Sequence, residues 1–163
     1  MPRVSRIIES FQWFTLILGF YLWTLWKQEY FVTKHGIRVT KSPYRLKKSQ
    51  VERITEDVID FWDNHATPGY RVSRKIAIPA LTGVLVEHER ARTIQMPWYG
   101  LVYNVYGYAL GSYVKLALQS SNLRKSALAH ELSHVILGAI GLTDGDSSHQ
   151  TMKDAGFMEK FEK

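Results

Sequence analysis

Residues 126–141 of the chain read SALAHELSHVILGAIG, and the rest of the domain is best interpreted outward from this stretch. Apolar residues recur along it at helical spacing, at Leu128, Leu132, Val135, Ile136 and Ala139. We therefore predict an amphipathic helix over residues 123–140, capped by Ser121 or Asn122 and ended by Gly141. Its apolar face belongs to the core, so this helix runs through the centre of the domain.

The same helix carries the pattern His130-Glu131-Leu132-Ser133-His134, which is HExxH. Side chains four residues apart lie about 40° apart around a helix, so both imidazoles can reach one metal ion. Glu131 lies about 100° further round, where it can touch a water molecule on that ion without being a ligand. The chain has no cysteine, so any metal must be held by His, Asp or Glu. We predict His130 and His134 as metal ligands and Glu131 as the catalytic base.

Two imidazoles leave a zinc site incomplete, because catalytic zinc has three protein ligands and one water. The candidates for the third ligand follow the helix and are His149, Asp144, Asp146 and Glu159. We favour His149, because imidazole is the commonest ligand and the glycine- and aspartate-rich segment before it can turn the chain back. The two aspartates otherwise serve as turn or capping residues, and Glu159 belongs to a charged terminal helix.

With these residues the chain resembles the zincin metallopeptidases, whose defining helix carries HExxH. It is most similar to the minimal, SprT-like group, in which a third His follows after a loop of comparable length; here 14 residues separate His134 from His149. The metzincin pattern HExxHxxGxxH is not met, because Leu137 and Ile140 replace its Gly and third His. SprT-like proteins often add a cysteine zinc ribbon and act on DNA-bound proteins, which this cysteine-free chain is not expected to do.

The resemblance implies a zinc ion held by His130, His134 and His149, with Glu131 taking a proton from water and passing it to the leaving amine. It also implies that the strand before the active helix, within residues 108–118, binds substrate by edge pairing. A tyrosine of this region could help to stabilise the oxyanion. The candidates are Tyr103, Tyr106, Tyr108 and Tyr113.

Three further patterns describe the rest of the domain. Apolar residues recur at helical spacing in residues 49–64, which predicts an amphipathic helix. Residues 70–118 are rich in β-branched and aromatic residues broken by Gly and Pro, which predicts three to five short strands of a twisted sheet. A last short helix is expected over residues 150–160. The predicted class is α+β: helix, short twisted sheet, HExxH helix and C-terminal helix.

An apolar segment precedes this domain. Residues 10–26, SFQWFTLILGFYLWTLW, carry no charge and as a helix would cover about 25 Å, the short end of a membrane span. Trp13 lies near one end and Trp23 and Trp26 near the other, which is typical of interfacial aromatic residues. We predict an N-terminal transmembrane helix in a lipid bilayer; the alternative is a helix docked on the protein's own core or on a partner.

The predicted organisation is thus a membrane anchor helix (1–30), a basic juxtamembrane linker (31–48) and a zincin-like metallopeptidase domain (49–163). Residues 27–48 contain seven Lys or Arg against one Glu, which places the domain of this single-pass protein on the cytoplasmic side. The net charge of +6 is concentrated in that stretch, so no specific nucleic-acid partner is expected.

The expected function is a membrane-anchored zinc metallopeptidase that hydrolyses a peptide bond in a protein or peptide substrate. A second enzymatic alternative keeps the site but cleaves an amide in a cell-wall peptide. An alternative from another class is a non-catalytic membrane-associated assembly or lysis protein with a structural or vestigial metal site. Glu131 counts against this last alternative, because a structural site needs ligands but no base.

Overall fold

A computed structural model describes residues 30–40, 47–98, 101–118, 125–143 and 145–162. Strands and helices alternate irregularly along these residues, which is an α+β arrangement. The elements are β1 (Tyr30–Val32), β2 (Arg38–Thr40), α1 (Lys48–Asp60), α2 (Arg74–Leu81), β3 (Leu85–Glu89), β4 (Ile94–Trp98), β5 (Leu101–Val105), β6 (Gly107–Leu110), β7 (Tyr113–Ala117), α3 (Lys125–Gly138), α4 (Gly145–Asp154) and α5 (Phe157–Phe161). Between α1 and α2 the chain forms a π-helical turn, Phe61–His65, and a 3₁₀ turn, Pro68–Tyr70.

Five strands form one sheet in the order β1-β2-β3-β7-β6. Strand β3 pairs in parallel with β2 and with β7, whereas β6 runs antiparallel to β7 at the edge of the sheet. The register aligns Val86 with Val114, and Val114 with Ala109. Strands β4 and β5 form a separate antiparallel hairpin. The mixed sheet therefore presents a short antiparallel strand next to the long helix α3.

Helix α3 is buried as the sequence pattern predicts. Leu128, Leu132 and Ile136 are 0% exposed and pack in one core with the inward residues of β3 and β7. Ala139, in contrast, is exposed, and Leu137 is buried in its place. Other elements of the domain cover α3 on two sides, so its buried face is wider than a single stripe of apolar residues.

An aromatic cluster joins the turn after α1 to the C-terminal helix. The Phe61 ring meets those of Trp62, Phe157 and Phe161 edge-on, with centroids 5.3, 5.4 and 5.8 Å away. The indole Nε1 of Trp62 donates a hydrogen bond to Ser133 Oγ, 3.0 Å away, at a buried point of α3. Because Ser133 lies inside the HExxH pattern, this bond orients the helix that carries the candidate site.

The predicted membrane anchor is the main correction to the fold class. Among the described residues no helix is long and apolar enough to cross a bilayer. The longest, α3, has 14 residues, against the roughly 20 that a span requires, and it carries two histidines and a glutamate. Within the described residues the fold is α+β and contains no membrane-spanning helix, so the single-pass membrane assignment is corrected to that extent. Residues 10–26, on which that prediction rested, lie outside the described residues.

Three smaller differences concern local structure. Residues 74–81, expected as strand, form helix α2, in which Pro79 is accommodated. The expected single C-terminal helix is two helices, because Gly156 takes a positive φ of 82° and turns the chain between them. Residues 31–40, assigned to a linker, contribute β1 and β2 to the sheet.

Glu56 ties three separate segments of the fold together. Its carboxylate accepts a hydrogen bond from Arg74 at 2.5 Å, contacts His35 Nε2 at 2.7 Å and forms an ion pair with Lys34. Burial by itself would raise the Glu56 pKa, but the hydrogen bonds from these three partners outweigh it and lower the pKa to about 2. The ionised carboxylate therefore stabilises the fold where α1, α2 and the β1–β2 turn meet.

We expect Glu56→Gln to lower the free energy of unfolding by about 1–2 kcal/mol at pH 7, an amount limited by solvent screening. A depressed pKa in the folded state adds stability that is present above the unfolded value of about 4.5 and disappears as the pH falls towards 2. Urea unfolding at pH 7, 4.5 and 3 measures this. The stability difference between the two proteins should shrink with falling pH; a constant difference would contradict the assignment.

Candidate metal centre

Three histidine rings converge at the surface of α3. His130 and His134 lie one turn apart on that helix, with their Nε2 atoms 3.0 Å apart. His149, on α4, brings its Nε2 atom to 3.1 Å from each of them. The three nitrogens thus form a nearly equilateral triangle. The structure brings together the three residues that the sequence analysis predicted as ligands.

The triangle has the dimensions of a metal site. These three side chains are a group that could hold a metal ion. Tetrahedral zinc with bonds of about 2.05 Å separates its ligand nitrogens by roughly 3.3 Å, so the rings would need to move apart by only a few tenths of an ångström. One ion can use all three lone pairs at once, whereas hydrogen bonds among three imidazole nitrogens cannot satisfy all of them.

The electrostatic setting keeps the His134 imidazole uncharged. Burial, and after it the neighbouring His130 and His149, lower the pKa of His134 to about 3. A neutral imidazole offers a lone pair, which is the form that binds a metal. A donor set of three imidazole nitrogens suits zinc and other borderline divalent ions.

Glu131 is buried beside the triad, with 6% of its surface exposed. Burial, and after it the negative charge of Glu162, raise the pKa of its carboxyl to about 8. Strand β6 approaches it very closely: a Cβ on Gly107 would lie 2.9 Å from Glu131 Oε1 and 3.0 Å from Leu116 Cδ2. Only glycine leaves the Glu131 side chain in place without displacing a neighbour. Sequence analysis missed Gly107, because no sequence pattern within β6 indicates that this strand contacts Glu131.

A cleft of about 1190 Å³ opens over the triad. Its walls come from α3, the start of α4, strand β6 and the base of the β4–β5 hairpin, and they include Glu131 and all three histidines. Catalytic metal sites keep one coordination position open to substrate, whereas structural sites are closed. The cleft gives this candidate centre the open side that a catalytic role needs.

The other predicted candidates have different positions. Glu159 is exposed on α5 and does not belong to the histidine group. Asp144 lies outside the described residues, and Asp146 is within α4 without a described side chain. Tyr106 and Tyr108 are among the residues that line the cleft.

The two remaining tyrosine candidates are placed elsewhere among the described residues. Tyr103 is 44% exposed on the hairpin, where it pairs with Met96. Tyr113 donates a hydrogen bond to the Glu87 carboxylate; burial, followed by this bond, raises the Tyr113 pKa well above its usual value. Tyr106 and Tyr108 are therefore the candidates that remain for contact with a substrate.

Comparison with protein-family models, with curated proteins and with solved structures finds no match for this chain. The resemblance to zincins therefore rests on the sequence pattern of residues 128–149 alone.

We expect His149→Ala to weaken zinc affinity by about 100-fold or more, because two imidazoles from one helix cannot complete the site. Glu159→Ala, a change on the nearby exposed helix surface, should leave the affinity near the wild-type value. Competition for Zn²⁺ with a chromophoric chelator measures both. If Glu159→Ala strips the metal and His149→Ala does not, the third ligand is the glutamate.

Proposed function

We propose that this protein is a zinc-dependent peptidase that hydrolyses peptide bonds in extended polypeptide segments. The observation that carries the proposal is the convergence of His130, His134 and His149 at one end of a cleft that Glu131 also lines. Ligands, a base and an open substrate side are the three parts that hydrolysis at a metal requires.

Each residue has a separate role in this proposal. A zinc ion held by the three Nε2 atoms would activate a water molecule and polarise the scissile carbonyl. Glu131 lies next to His130 in the helix and is not one of the three converging groups. The positive charge of a bound ion would lower its raised pKa, so that the ionised carboxylate could accept a proton from the water and deliver it to the leaving amine. Tyr106 or Tyr108, which line the cleft, could donate a hydrogen bond to the developing oxyanion.

Strand β6 supports a polypeptide substrate over a small molecule. It is the last strand in the order of the described sheet, and all four of its residues, Gly107–Leu110, line the cleft. An edge strand offers unpaired N–H and C=O groups at regular spacing, to which an extended peptide can add as a further strand. A peptide bound in this way would pass directly over Glu131, which lies against Gly107.

The surroundings of the cleft favour apolar side chains in that peptide. No charged residue occurs between residues 93 and 114, a stretch that includes the β4–β5 hairpin and β6. Large apolar side chains are nevertheless exposed there, namely those of Leu101, Val102, Tyr103, Tyr106 and Leu110. An exposed, uncharged patch that continues into a cleft is typical of a binding surface for apolar groups.

A non-catalytic role for the metal would leave two features unexplained. A structural site needs neither a buried carboxylate beside its ligands nor an open cleft, and this centre has both. Burying a carboxylate costs stability, which is tolerated at functional sites. These features support the catalytic role.

We expect Glu131→Gln to retain zinc and fold but to reduce hydrolysis by about 100-fold or more, because the amide cannot accept the proton. The assay follows peptide release from unfolded casein by the zinc-loaded protein, with metal content and thermal unfolding measured on the same samples. A chelator should abolish wild-type turnover and added zinc should restore it. Full turnover in the variant would place the base elsewhere, and loss of zinc would make Glu131 a ligand.

Cleavage sites mapped by mass spectrometry in these digests should have uncharged apolar residues next to the cut bond. Met96 lines the cleft from the hairpin, so Met96→Lys should shift the preference towards acidic residues by severalfold. Val32→Lys, at an exposed position on β1 at the far edge of the sheet, is the matched control. Unchanged preference in Met96→Lys would exclude the hairpin from substrate selection.

A further inference from the structure

The chain after α5 reaches back to one of the three histidines. Glu162 directly follows this helix, and its Oε1 lies 2.6 Å from Nδ1 of His130. The other ring nitrogen of His130, Nε2, faces His134 and His149. The imidazole is therefore held between a carboxylate on one side and the converging nitrogens on the other.

This contact determines which nitrogen of His130 carries the proton. An ionised carboxylate only accepts hydrogen bonds, so a bond between Glu162 and a neutral imidazole requires the proton on Nδ1. The lone pair is then on Nε2, directed at the centre of the triad. Without Glu162, a neutral imidazole in water divides its population between two tautomers, and only one of them can use Nε2 as a ligand.

Packing of the core sets the position of Glu162. Phe157 and Phe161, 0% and 6% exposed, anchor α5 against Phe61, and the Glu162 N–H donates to the Met158 carbonyl at 3.0 Å to close the helix. The carboxylate therefore follows a helix end that is fixed by buried aromatic rings. A surface glutamate without such an anchor would lose more conformational entropy on forming the same contact.

We propose that Glu162 is a positioning residue of the metal centre, which orients His130 and holds it in the tautomer whose Nε2 binds the ion. The inference rests on the metal centre of the proposed function but does not require that the centre be catalytic. Glu162 contacts Nδ1 of His130, the ring nitrogen that faces away from the other two histidines, so it would influence a bound ion through that ring. Sequence analysis considered acidic residues of this region only as candidate third ligands, at Asp144, Asp146 and Glu159.

The test compares Glu162→Ala and Glu162→Gln with the exposed control Glu159→Ala in the full chain. Zn²⁺ affinity is measured by chelator competition, and metal-free samples are checked by thermal unfolding. Glu162→Ala should weaken Zn²⁺ binding by about 10- to 100-fold, as loss of such a carboxylate does elsewhere. Glu162→Gln should recover part of that loss, because its amide oxygen also accepts from Nδ1–H. Glu159→Ala should stay within twofold of wild type.

A second measurement needs no metal and no activity. Nitrogen-15 NMR of the histidine rings in the metal-free protein reports directly which nitrogen is protonated. His130 should carry its proton on Nδ1 in the wild type and should become a mixture of tautomers in Glu162→Ala. This readout applies to the wild type even if Glu162→Ala fails to fold.

The outcomes separate this inference from the proposed function. Wild-type His130 protonated on Nε2, or a Glu162→Ala variant that folds and keeps Zn²⁺ affinity within twofold, would overturn the inference while leaving hydrolysis intact. A wild type that binds Zn²⁺ with the expected dependence on Glu162 but cleaves no polypeptide would overturn the proposed function alone. A wild type that takes up no Zn²⁺ would refute both.

Discussion

The burial of helix α3 is the constraint on which the rest of the structure depends. Leu128, Leu132 and Ile136 are fully buried, and the bond from Trp62 Nε1 to Ser133 Oγ fixes the rotation of the helix about its axis. Because a helix is rigid, fixing its buried face also fixes the direction of its other faces. The histidines four residues apart are thereby aimed at one point, and every remaining part of the site is brought to that point by other elements.

The burial of Glu131 carries a cost in stability. Its raised pKa measures a free-energy cost, of which burial is the largest cause, and the fold offsets that cost elsewhere in the core. Gly107 shows how closely the surroundings are fitted, since even one methyl group would press on the carboxylate. The same glycine weakens strand β6, where a larger residue would be better for the sheet alone. The buried carboxylate of Glu131 and the glycine at position 107 are both expected where a carboxylate must face a cleft. Neither of them improves the stability of the fold.

Sequence patterns predicted those parts of the fold that depend on neighbouring residues. The period of apolar residues located α1 and α3, and the HExxH spacing located the two histidines of α3, since both are local properties of a helix. Helix α2 was missed because its apolar and β-branched residues suit a strand equally well, and packing against α3 and α1 decides between the two. The break at Gly156 was missed because a single short helix was expected over residues 150–160, and the positive φ of this glycine was not considered. The anchor prediction came from residues 10–26 alone, and the described residues hold no helix suited to a membrane.

Contacts between residues far apart in the chain account for what sequence patterns could not supply. Two of the three nitrogens come from one helix and need no other element. His149 and Glu162, in contrast, reach the centre only when α4 packs into the core through Met152 and α5 through Phe157 and Phe161. The carboxylate of Glu162 and the ring of His130 are 32 residues apart in the chain, so no spacing rule connects them. An ion that binds all three histidines therefore binds only the state in which the C-terminal helices are docked. By mass action it must stabilise that docking, which couples occupancy of the centre to the order of the last segment of the domain.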